Sequence, residues 1–310
     1  MQLDYLKEKL DAYISLSLAM IIVGSSVVFG KMIIMKFPVF LASGLRFAIA
    51  SAIICPIILI KEKGFPKITK RDWIPFFLMA FCGQFIFTVL MLVGLKYTQA
   101  MEAGIITSTT PAFMAVVSFL VLKEHLNSRQ VIGVVLATLG VLVINGVLQP
   151  YDQSDIQNKH ILGNLLIGGA VVGEAVFLLL AKKLTSPVSD LSTTGILSLL
   201  GVLMFLPFSL YESISFPFEQ VSLYDWLYIL YFGAIYTVVA YIFWFRGVKK
   251  VTGSTASVFT AIIPMSAAIL SVVFLTEKFT LSHAMGIMFI IASILMTSLP
   301  KSSLNLKENG

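Results

Sequence analysis

Residues 107–133 read TSTTPAFMAVVSFLVLKEHLNSRQVIG, and residues 260–286 read TAIIPMSAAILSVVFLTEKFTLSHAMG. The second stretch repeats the first at an offset of 153 positions, and the identical pairs include Thr107 and Thr260, Pro111 and Pro264, Ser118 and Ser271, Leu122 and Leu275, Glu124 and Glu277, and Gly133 and Gly286. The same offset carries Asp72-Trp73 onto Asp225-Trp226, and an offset of 149 carries Gly24 onto Gly173. So many identities predict an internal duplication, and a duplication kept only for packing is the alternative reading.

The composition places both copies in a lipid environment. Of the 310 residues, 58% are hydrophobic and 12% are charged, and the mean hydropathy is +0.93. These values lie outside the range of soluble domains, whose surfaces need more charge. The net charge of +6 comes without a basic block interleaved with aromatic residues, so we expect no nucleic-acid partner. The bilayer is the first expected partner.

Apolar windows between charged or turn-rich breaks predict ten membrane-spanning helices, because a span needs about 20 mainly apolar residues. The windows lie near residues 12–34, 38–60, 73–95, 101–122, 130–148, 161–181, 190–210, 223–245, 254–275 and 281–299. The predicted fold class is an all-α integral membrane protein. Its predicted units are residues 1–148 as the first repeat, 149–160 as an external loop, 161–300 as the second repeat and 301–310 as a cytoplasmic tail.

Lysine and arginine in the breaks predict the orientation. Sixteen of them fall on the side that holds both termini, five fall on the opposite side, and Arg46 alone falls within a span. By the positive-inside rule both termini are cytoplasmic and the protein lies in the cell membrane. Because each repeat has five spans, the second copy enters the membrane upside down. Such inverted repeats are typical of secondary transporters that alternate access around a central site.

These residues resemble a known family. The pattern consists of Gly24-Ser25 with Lys31 in the first span, Arg46-Phe47 in the second, and, in each half, a proline-bearing span followed by an acidic turn and a glycine-bearing helix. It is similar to the drug/metabolite transporter superfamily, and more narrowly to its ten-helix EamA type. The resemblance implies two five-helix repeats around a central cavity, and the export or exchange of small metabolites. Gly24 and Ser25 are accordingly predicted at the substrate site.

Polar side chains recur at matching places in the third and eighth spans. Gln84 and Thr88 correspond to Thr237 and Tyr241 at the offset of 153, and Met91 corresponds to Trp244. Positions i, i+4 and i+7 share one face of an α-helix. We therefore expect Gln84, Thr88, Thr237, Tyr241 and Trp244 to line a cavity, with hydrogen bonding between helices as the alternative.

The fourth and ninth spans carry a second matching set. Thr107, Thr110 and Thr260 are predicted substrate-binding residues. Pro111 and Pro264 remove backbone donors, and we expect them to bend their helices, with an exposed carbonyl ligand as the alternative. Glu124 and Glu277 fall at span ends, where a structural role is expected.

Glu174 is the most informative single residue, because it lies about thirteen residues into the sixth span, roughly 20 Å along the helix. A carboxylate at that depth is costly and usually pairs, titrates or binds a cation. Two roles compete on equal terms: a structural charge pair with Arg46, or a site for substrate amines or protons.

The sequence lacks a GxxxxGK phosphate loop and the usual hydrolase motifs, so we expect no cofactor, no metal and no enzyme activity. The expected function is secondary active transport of small polar or amphipathic metabolites, such as amino acids or amines, by export or exchange. A coupling proton or a counter-solute is a further expected partner. An intramembrane enzyme, a channel and a non-transporting scaffold are the alternatives.

Overall fold

The computed structural model describes residues 2–95, 97, 106–107, 109–144, 158–184, 188–275 and 280–298. Within that part of the chain the ordered elements are helices and no strand occurs. We number the helices α1 to α10, join α- and π-helical pieces separated by at most two residues into one helix, and leave two short 3₁₀ helices, Ala181–Lys183 and Phe218–Gln220, unnumbered. They are α1 (Gln2–Ile34), α2 (Val39–Lys61), α3 (Trp73–Ala80, Phe81–Ile86 and Phe87–Leu95), α4 (Thr110–Leu122), α5 (Ser128–Ile144), α6 (Asn158–Leu180), α7 (Asp190–Ile214), α8 (Leu223–Tyr231, Phe232–Val239 and Ala240–Val248), α9 (Gly253–Phe259 and Ile262–Leu275) and α10 (Leu281–Ser298).

The all-α membrane character expected from the sequence is confirmed. Seven helices of the described chain are long and apolar enough to cross a membrane, namely α1, α2, α3, α6, α7, α8 and α9. Three further apolar stretches, Thr110–Leu122, Ser128–Val143 and Leu281–Thr297, are shorter. The count of ten spans and the orientation of the termini stay predictions. Glu277, predicted to close an acidic turn, lies outside the described residues, as does most of the predicted loop 149–160.

The two halves start their last helices in the same way. At the start of α5, Asn127 Oδ1 accepts from the Gln130 backbone N–H (3.0 Å), and Gln130 Oε1 accepts from the Asn127 N–H (2.9 Å). At the start of α10, Thr280 and His283 exchange the same two bonds at 3.4 and 3.2 Å. Both pairs are reciprocal caps that satisfy backbone donors without partners in the helix, and they are related by the offset of 153.

The helices α3 and α8 share a rarer feature, a π-helical segment near the middle. In α3 it covers Phe81–Ile86 and in α8 it covers Phe232–Val239, so the offset of 153 superposes them. In a π-segment the helix is wider, because its hydrogen bonds join residues five positions apart. Such segments are frequent at functional sites. Here Thr237 Oγ1 donates to the Phe232 carbonyl five positions back (2.8 Å).

Helix packing follows the same correspondence. α1 packs against α8 and α9, while α6, its counterpart, packs against α3 and α4. α2 packs against its own counterpart α7, and α5 against α10.

The glycines predicted from the repeat lie at close crossings. A Cβ on Gly24 would collide with Ser266 of α9, and one on Gly173 would lie 2.5 Å from the Cys82 carbonyl oxygen of α3.

Two carboxylates connect α2 and α7, one at each end of the helix pair. Glu62, just after α2, accepts from the hydroxyls of Ser189 and Ser192 at the start of α7, both at 2.6 Å. Glu212, near the end of α7, accepts from the Leu41 backbone N–H in the first turn of α2 (2.7 Å). An acidic group at a helix N-terminus is stabilised by the unsatisfied N–H groups and the helix dipole.

The hydrogen bonds of Glu62 predict a measurable loss of stability when this residue is replaced. Replacing Glu62 with Ala removes the acceptor of two hydroxyls, and we expect the free energy of unfolding to fall by about 1 kcal/mol. The apparent melting temperature of the detergent-purified protein measures the change. The matched control is Glu219→Ala, which removes an exposed glutamate. Equal melting temperatures for both variants and the wild type would show that the capping bonds contribute nothing.

Candidate functional site

A cavity of ≈ 510 Å³ lies between the two halves. Its walls come from α1, α3, the start of α4, α5, α6, α8, α9 and α10. The lining residues are Val23, Ser26, Phe87, Met91, Thr107, Thr110, Pro111, Val141, Glu174, Tyr236, Thr260, Ile263, Pro264, Ala267, Ala268 and His283. The wall is therefore mainly apolar, with a few hydroxyl groups and one carboxylate. A concave apolar site with few polar groups is the usual form of a small-molecule site.

Glu174 supplies the carboxylate of the cavity. The close approach of α6 to α3 at Gly173 fixes the height of the next residue against the cavity wall. The Thr110 hydroxyl lies 3.3 Å from Glu174 Oε2 and 2.8 Å from the Thr107 carbonyl oxygen. Because a hydroxyl has one hydrogen, it can donate to only one of them at a time. Among the described residues Glu174 therefore has one weak neutral partner, and it has room for a cationic ligand.

Arg46 does not neutralise Glu174. The Arg46 side chain forms no ion pair or side-chain hydrogen bond with a described residue, and its Nε atom is buried without a partner. Its guanidinium carbon instead lies 4.2 Å from the ring centre of Phe47 and 5.2 Å from that of Tyr236. Of the two roles weighed for Glu174, the charge pair with Arg46 is not formed in this structure, and ligand binding stays a prediction.

Both predicted prolines border the cavity, each within the first turn of a helical piece, and the expected bends stay predictions. Pro111 lies in the first turn of α4, and Pro264 lies in the first turn of the second piece of α9. A missing N–H costs no helical hydrogen bond at these positions. The Thr260–Ala261 break in α9 puts the Thr260 side chain into the cavity wall.

A polar network lies about two helical turns from the cavity lining, on the side where α4 ends. Glu124 accepts from the Ser118 hydroxyl (2.7 Å), the Lys182 ammonium (2.7 Å) and the Gly253 backbone N–H (2.5 Å). Lys182 also donates to the Val251 carbonyl (2.6 Å). The network joins the ends of α4 and α6 to the start of α9. Eight residues separate Thr110 from Ser118, which is about 12 Å along a helix.

The charge of Glu124 is stabilised by these partners. Burial raises the pKa of the carboxyl, but the hydrogen bonds from Lys182, Ser118 and Gly253 outweigh it and hold the pKa below its ordinary value of 4.5. The structural role predicted for Glu124 is thus specific. Glu124 bonds to Gly253, the first residue of α9, and to Lys182, just after α6. The sequence suggested only that it stabilises the start of the next helix in the chain, α5.

His283, in the first turn of α10, belongs to the cavity lining. The lining residues of α9 run from Thr260 to Ala268, toward the end of α9 that is opposite Gly253. The lining therefore extends away from the Glu124 network.

The structure brings together four of the eleven predicted binding residues: Thr107, Thr110, Glu174 and Thr260 line one cavity. The others do not line it and are engaged elsewhere in the protein. Ser25 bonds with the Tyr231 hydroxyl (2.5 Å), Thr88 donates to the Gln84 carbonyl (2.7 Å), and Trp244 Nε1 donates to the Leu178 carbonyl (2.9 Å). Gln84 Nε2 lies 3.5 Å from the Tyr241 hydroxyl. Gly24 and Thr237 lie at helix contacts.

Several lining residues were missed, and the π-segments explain why. The stripe predicted in spans three and eight assumes 3.6 residues per turn. A π-segment shifts the register, so that Phe87 and Tyr236 face the cavity while Thr88 and Thr237 bond within their own helices. Met91, one turn after Phe87, lines the cavity, whereas its counterpart Trp244 does not. Ser26 and His283 carried no signal that separated them from residues at the ends of spans.

Comparison with known proteins identifies the family. The model of the EamA-like transporter family matches twice, at residues 11–146 and 161–299. A protein of Bacillus subtilis (strain 168) named uncharacterized transporter YetK is 43% identical over 295 residues, which is 95% of this chain and 89% of that protein. An uncharacterized transporter of Archaeoglobus fulgidus is 28% identical, over 80% of this chain and 84% of its own. One crystal structure shares the fold with a TM-score of 0.76 and 17% identity, covering 92% of this chain and 97% of its own.

The chain belongs to the EamA-like transporter family, within the drug/metabolite transporter superfamily, as its sequence motifs indicated. It is a multi-pass transmembrane transporter. The two family matches fall on the two halves that the internal repeat defines.

Proposed function

We propose that the protein is a secondary active transporter that moves small polar or amphipathic metabolites carrying an amino group by alternating access, in export or exchange. The observation that carries this proposal is the cavity between the halves, where Glu174 presents a carboxylate without an ionic partner among the described residues. An apolar wall suits the carbon skeleton of such a solute, and the carboxylate suits its ammonium group. A coupled proton is the alternative cation at the same carboxylate.

Ligand-dependent stability tests the proposal even while the substrate is unidentified. A ligand that binds the folded state raises the apparent melting temperature. Screening the purified protein against amines, amino acids and uncharged analogues of the same size should give shifts for compounds with an ammonium group. A set of hits that consists of anions or uncharged compounds alone would contradict the proposed site.

The proposed topology has ten spans in two inverted five-helix repeats, with both termini cytoplasmic and the protein in the cell membrane. Its support is the pairing of α1 with α8 and α9 alongside that of α6 with α3 and α4, together with the surplus of lysine and arginine on one side. In this topology the Glu124 network closes the cytoplasmic end of the cavity.

Cysteine labelling tests this topology. With Cys55 and Cys82 replaced by Ala, single cysteines at Asn127 and Thr280 should react with a membrane-impermeant thiol reagent from opposite faces. Asn127 should label only in inverted vesicles and Thr280 only in intact cells. Labelling of both positions from the same face would contradict the inverted repeat.

A further inference from the structure

A groove on the outside of the bundle lies where the α2–α3 loop meets α7. Its volume is ≈ 460 Å³, and its wall is apolar. The lining residues are Phe65, Pro66, Ile68, Trp73, Ile196, Leu199, Leu200 and Leu203. None of these residues belongs to the lining of the cavity at Glu174. The groove is therefore a second candidate site, separate from that cavity.

The α2–α3 loop forms one wall of the groove because the chain reverses directly after α2. Lys63 and Gly64 make this turn with positive φ angles of 57° and 126°, and the second of these angles suits glycine. At the contact with α7, a Cβ added to Gly195 would lie 3.3 Å from the Phe65 ring. The absence of a side chain at Gly195 therefore allows the loop to pack closely on α7.

The α7 wall of the groove runs along the helix toward the middle of the predicted span. Its residues have the i, i+3, i+4 and i+7 spacing of one helix face: Ile196, Leu199, Leu200 and Leu203. They begin about 9 Å from the start of α7 and cover about 10 Å of its length. Trp73, the first residue of α3, stands at the loop end, and tryptophan is enriched where a membrane meets water. The groove therefore leads from the interface into the apolar layer.

The loop that borders the groove carries five exposed basic side chains: Lys61, Lys63, Lys67, Lys70 and Arg71. In the part of the chain that the structure describes, none of the five forms an ion pair. The two acidic residues of the same stretch have other partners. Glu62 accepts from two serine hydroxyls of α7, and Asp72 accepts from the Thr69 hydroxyl (2.9 Å). A basic cluster at the end of a membrane span attracts anionic lipid headgroups.

We propose that this groove binds an anionic phospholipid, with one acyl chain along α7 and its phosphate headgroup at the basic side chains of the α2–α3 loop. The charge of the loop selects this occupant, because a negative headgroup joined to an apolar chain complements a basic rim above an apolar wall. In the proposed topology the loop faces the cytoplasm, and the cytoplasmic leaflet carries anionic lipids. Since the loop belongs to the first half and α7 to the second, the bound lipid connects the two halves.

Quenching of Trp73 fluorescence by brominated lipids tests the inference, because bromine on an acyl chain quenches a tryptophan that the chain contacts. The protein is reconstituted in phosphatidylcholine with increasing fractions of phosphatidylglycerol or phosphatidylcholine brominated on the acyl chains. Trp73 is 45% exposed, and its signal is the difference between the wild type and Trp73→Phe. We expect half-maximal quenching at an about tenfold lower fraction of the brominated phosphatidylglycerol than of the brominated phosphatidylcholine.

A charge variant tests the role of the basic rim. Lys67→Gln combined with Lys70→Gln removes two positive charges and should abolish the preference for phosphatidylglycerol. The matched control combines Lys7→Gln with Lys123→Gln, which removes two exposed lysines outside the loop. This control should keep the preference of the wild type.

A second variant tests the role of the apolar wall. Leu199→Phe combined with Leu203→Phe narrows the groove without changing the charge of the loop, and it should also abolish the preference. The matched control combines Leu162→Phe with Leu165→Phe on α6. All four leucines are exposed, so both variants should keep the melting temperature of the wild type.

Equal quenching by the two lipids, or a preference that the lysine variant leaves unchanged, overturns the inference. A preference that the lysine variant abolishes and the groove variant leaves intact would show that the lipid gathers at the basic surface without entering the groove, and it would overturn the inference as well. The same follows if a control variant loses the preference. Quenching by neither lipid would show that protein, such as a second copy of this chain, covers the groove instead. Each of these results leaves the proposed transport function standing, because the groove and the cavity share no lining residue.

Discussion

Glu174→Gln should fold and insert like the wild type, yet lose transport of amines almost completely. The glutamine keeps the size of the side chain and its contact with the Thr110 hydroxyl, 3.3 Å away in the wild type. It removes the negative charge that attracts an ammonium group. A charged ligand left without its counter-ion in a desolvated site loses about 2 to 5 kcal/mol of binding, or roughly 30-fold to several thousandfold in affinity.

The measurement combines uptake into proteoliposomes with apparent melting temperature. Because Glu174 has no ionic partner in the described chain to leave unpaired, the melting temperature should remain within about 2 °C of the wild type. Glu219→Gln is the matched control and should transport normally. Undiminished transport by Glu174→Gln at every pH would remove Glu174 from the substrate site. A large fall in melting temperature would instead indicate a structural carboxylate.

Glu124→Gln should open the closed end of the cavity. The variant loses the ion pair with Lys182 at 2.7 Å and weakens the acceptor of the Ser118 and Gly253 bonds. We expect the closed conformation to lose about 1 to 3 kcal/mol, enough to shift a conformational equilibrium by five-fold to more than 100-fold. In a background without Cys55 and Cys82, a cysteine at the cavity residue Ala268 should then become reactive from the Glu124 side as well.

Labelling of the Ala268 cysteine from the Glu124 side at the rate of the wild type would show that the network is no barrier. The control is Glu62→Gln, whose carboxylate ties α2 to α7 away from the cavity. It should not change the labelling rate. This comparison separates a specific opening from a general loosening of the bundle.

Acid should mimic part of the Glu124→Gln effect. The pKa of Glu124 lies below its ordinary value of 4.5 in the folded protein, because the Lys182, Ser118 and Gly253 hydrogen bonds together outweigh the opposing effect of burial. A depressed carboxyl pKa contributes stability that is present above about pH 4.5 and is lost as the pH falls through the lower native value. The stability difference between wild type and Glu124→Gln should therefore shrink below about pH 4.5, and a constant difference down to about pH 3 would contradict the assignment.

The sequence alone predicted the parts of the fold that depend on composition and period. Apolar windows placed most of the helices to within a few residues: α2 was expected at 38–60 and is Val39–Lys61, and α7 was expected at 190–210 and is Asp190–Ile214. One exception is α1, which was expected from residue 12 and begins at Gln2. The offset of 153 also relates the caps at Asn127 and Thr280, which the structure shows to be alike. Helix positions follow from the residues of a short stretch of chain, which is why a pattern in a single sequence reveals them.

The candidate site was predictable only in part, because it depends on how helices rotate and on contacts far apart in sequence. A buried carboxylate is costly wherever it lies, so Glu174 stood out from depth alone. Which side chains of α3 and α8 face the cavity depends on the π-helical segments of these helices. No residue pattern in the sequence indicated those segments. Similarly, the partners of Glu124 lie 58 and 129 positions away, at Lys182 and Gly253. The charge of Arg46 suggested a partner for Glu174, but its neighbours in the fold are aromatic rings.

Counterflow in proteoliposomes tests whether this cavity carries a solute across the membrane at Glu174. Vesicles loaded with an unlabelled amine or amino acid identified by thermal shift are diluted into a trace of the labelled compound. We expect saturable, transient accumulation with the wild-type protein and none with Glu174→Gln. Accumulation no greater than in protein-free vesicles, or flux that does not saturate, or equal counterflow in both proteins, would contradict the claim.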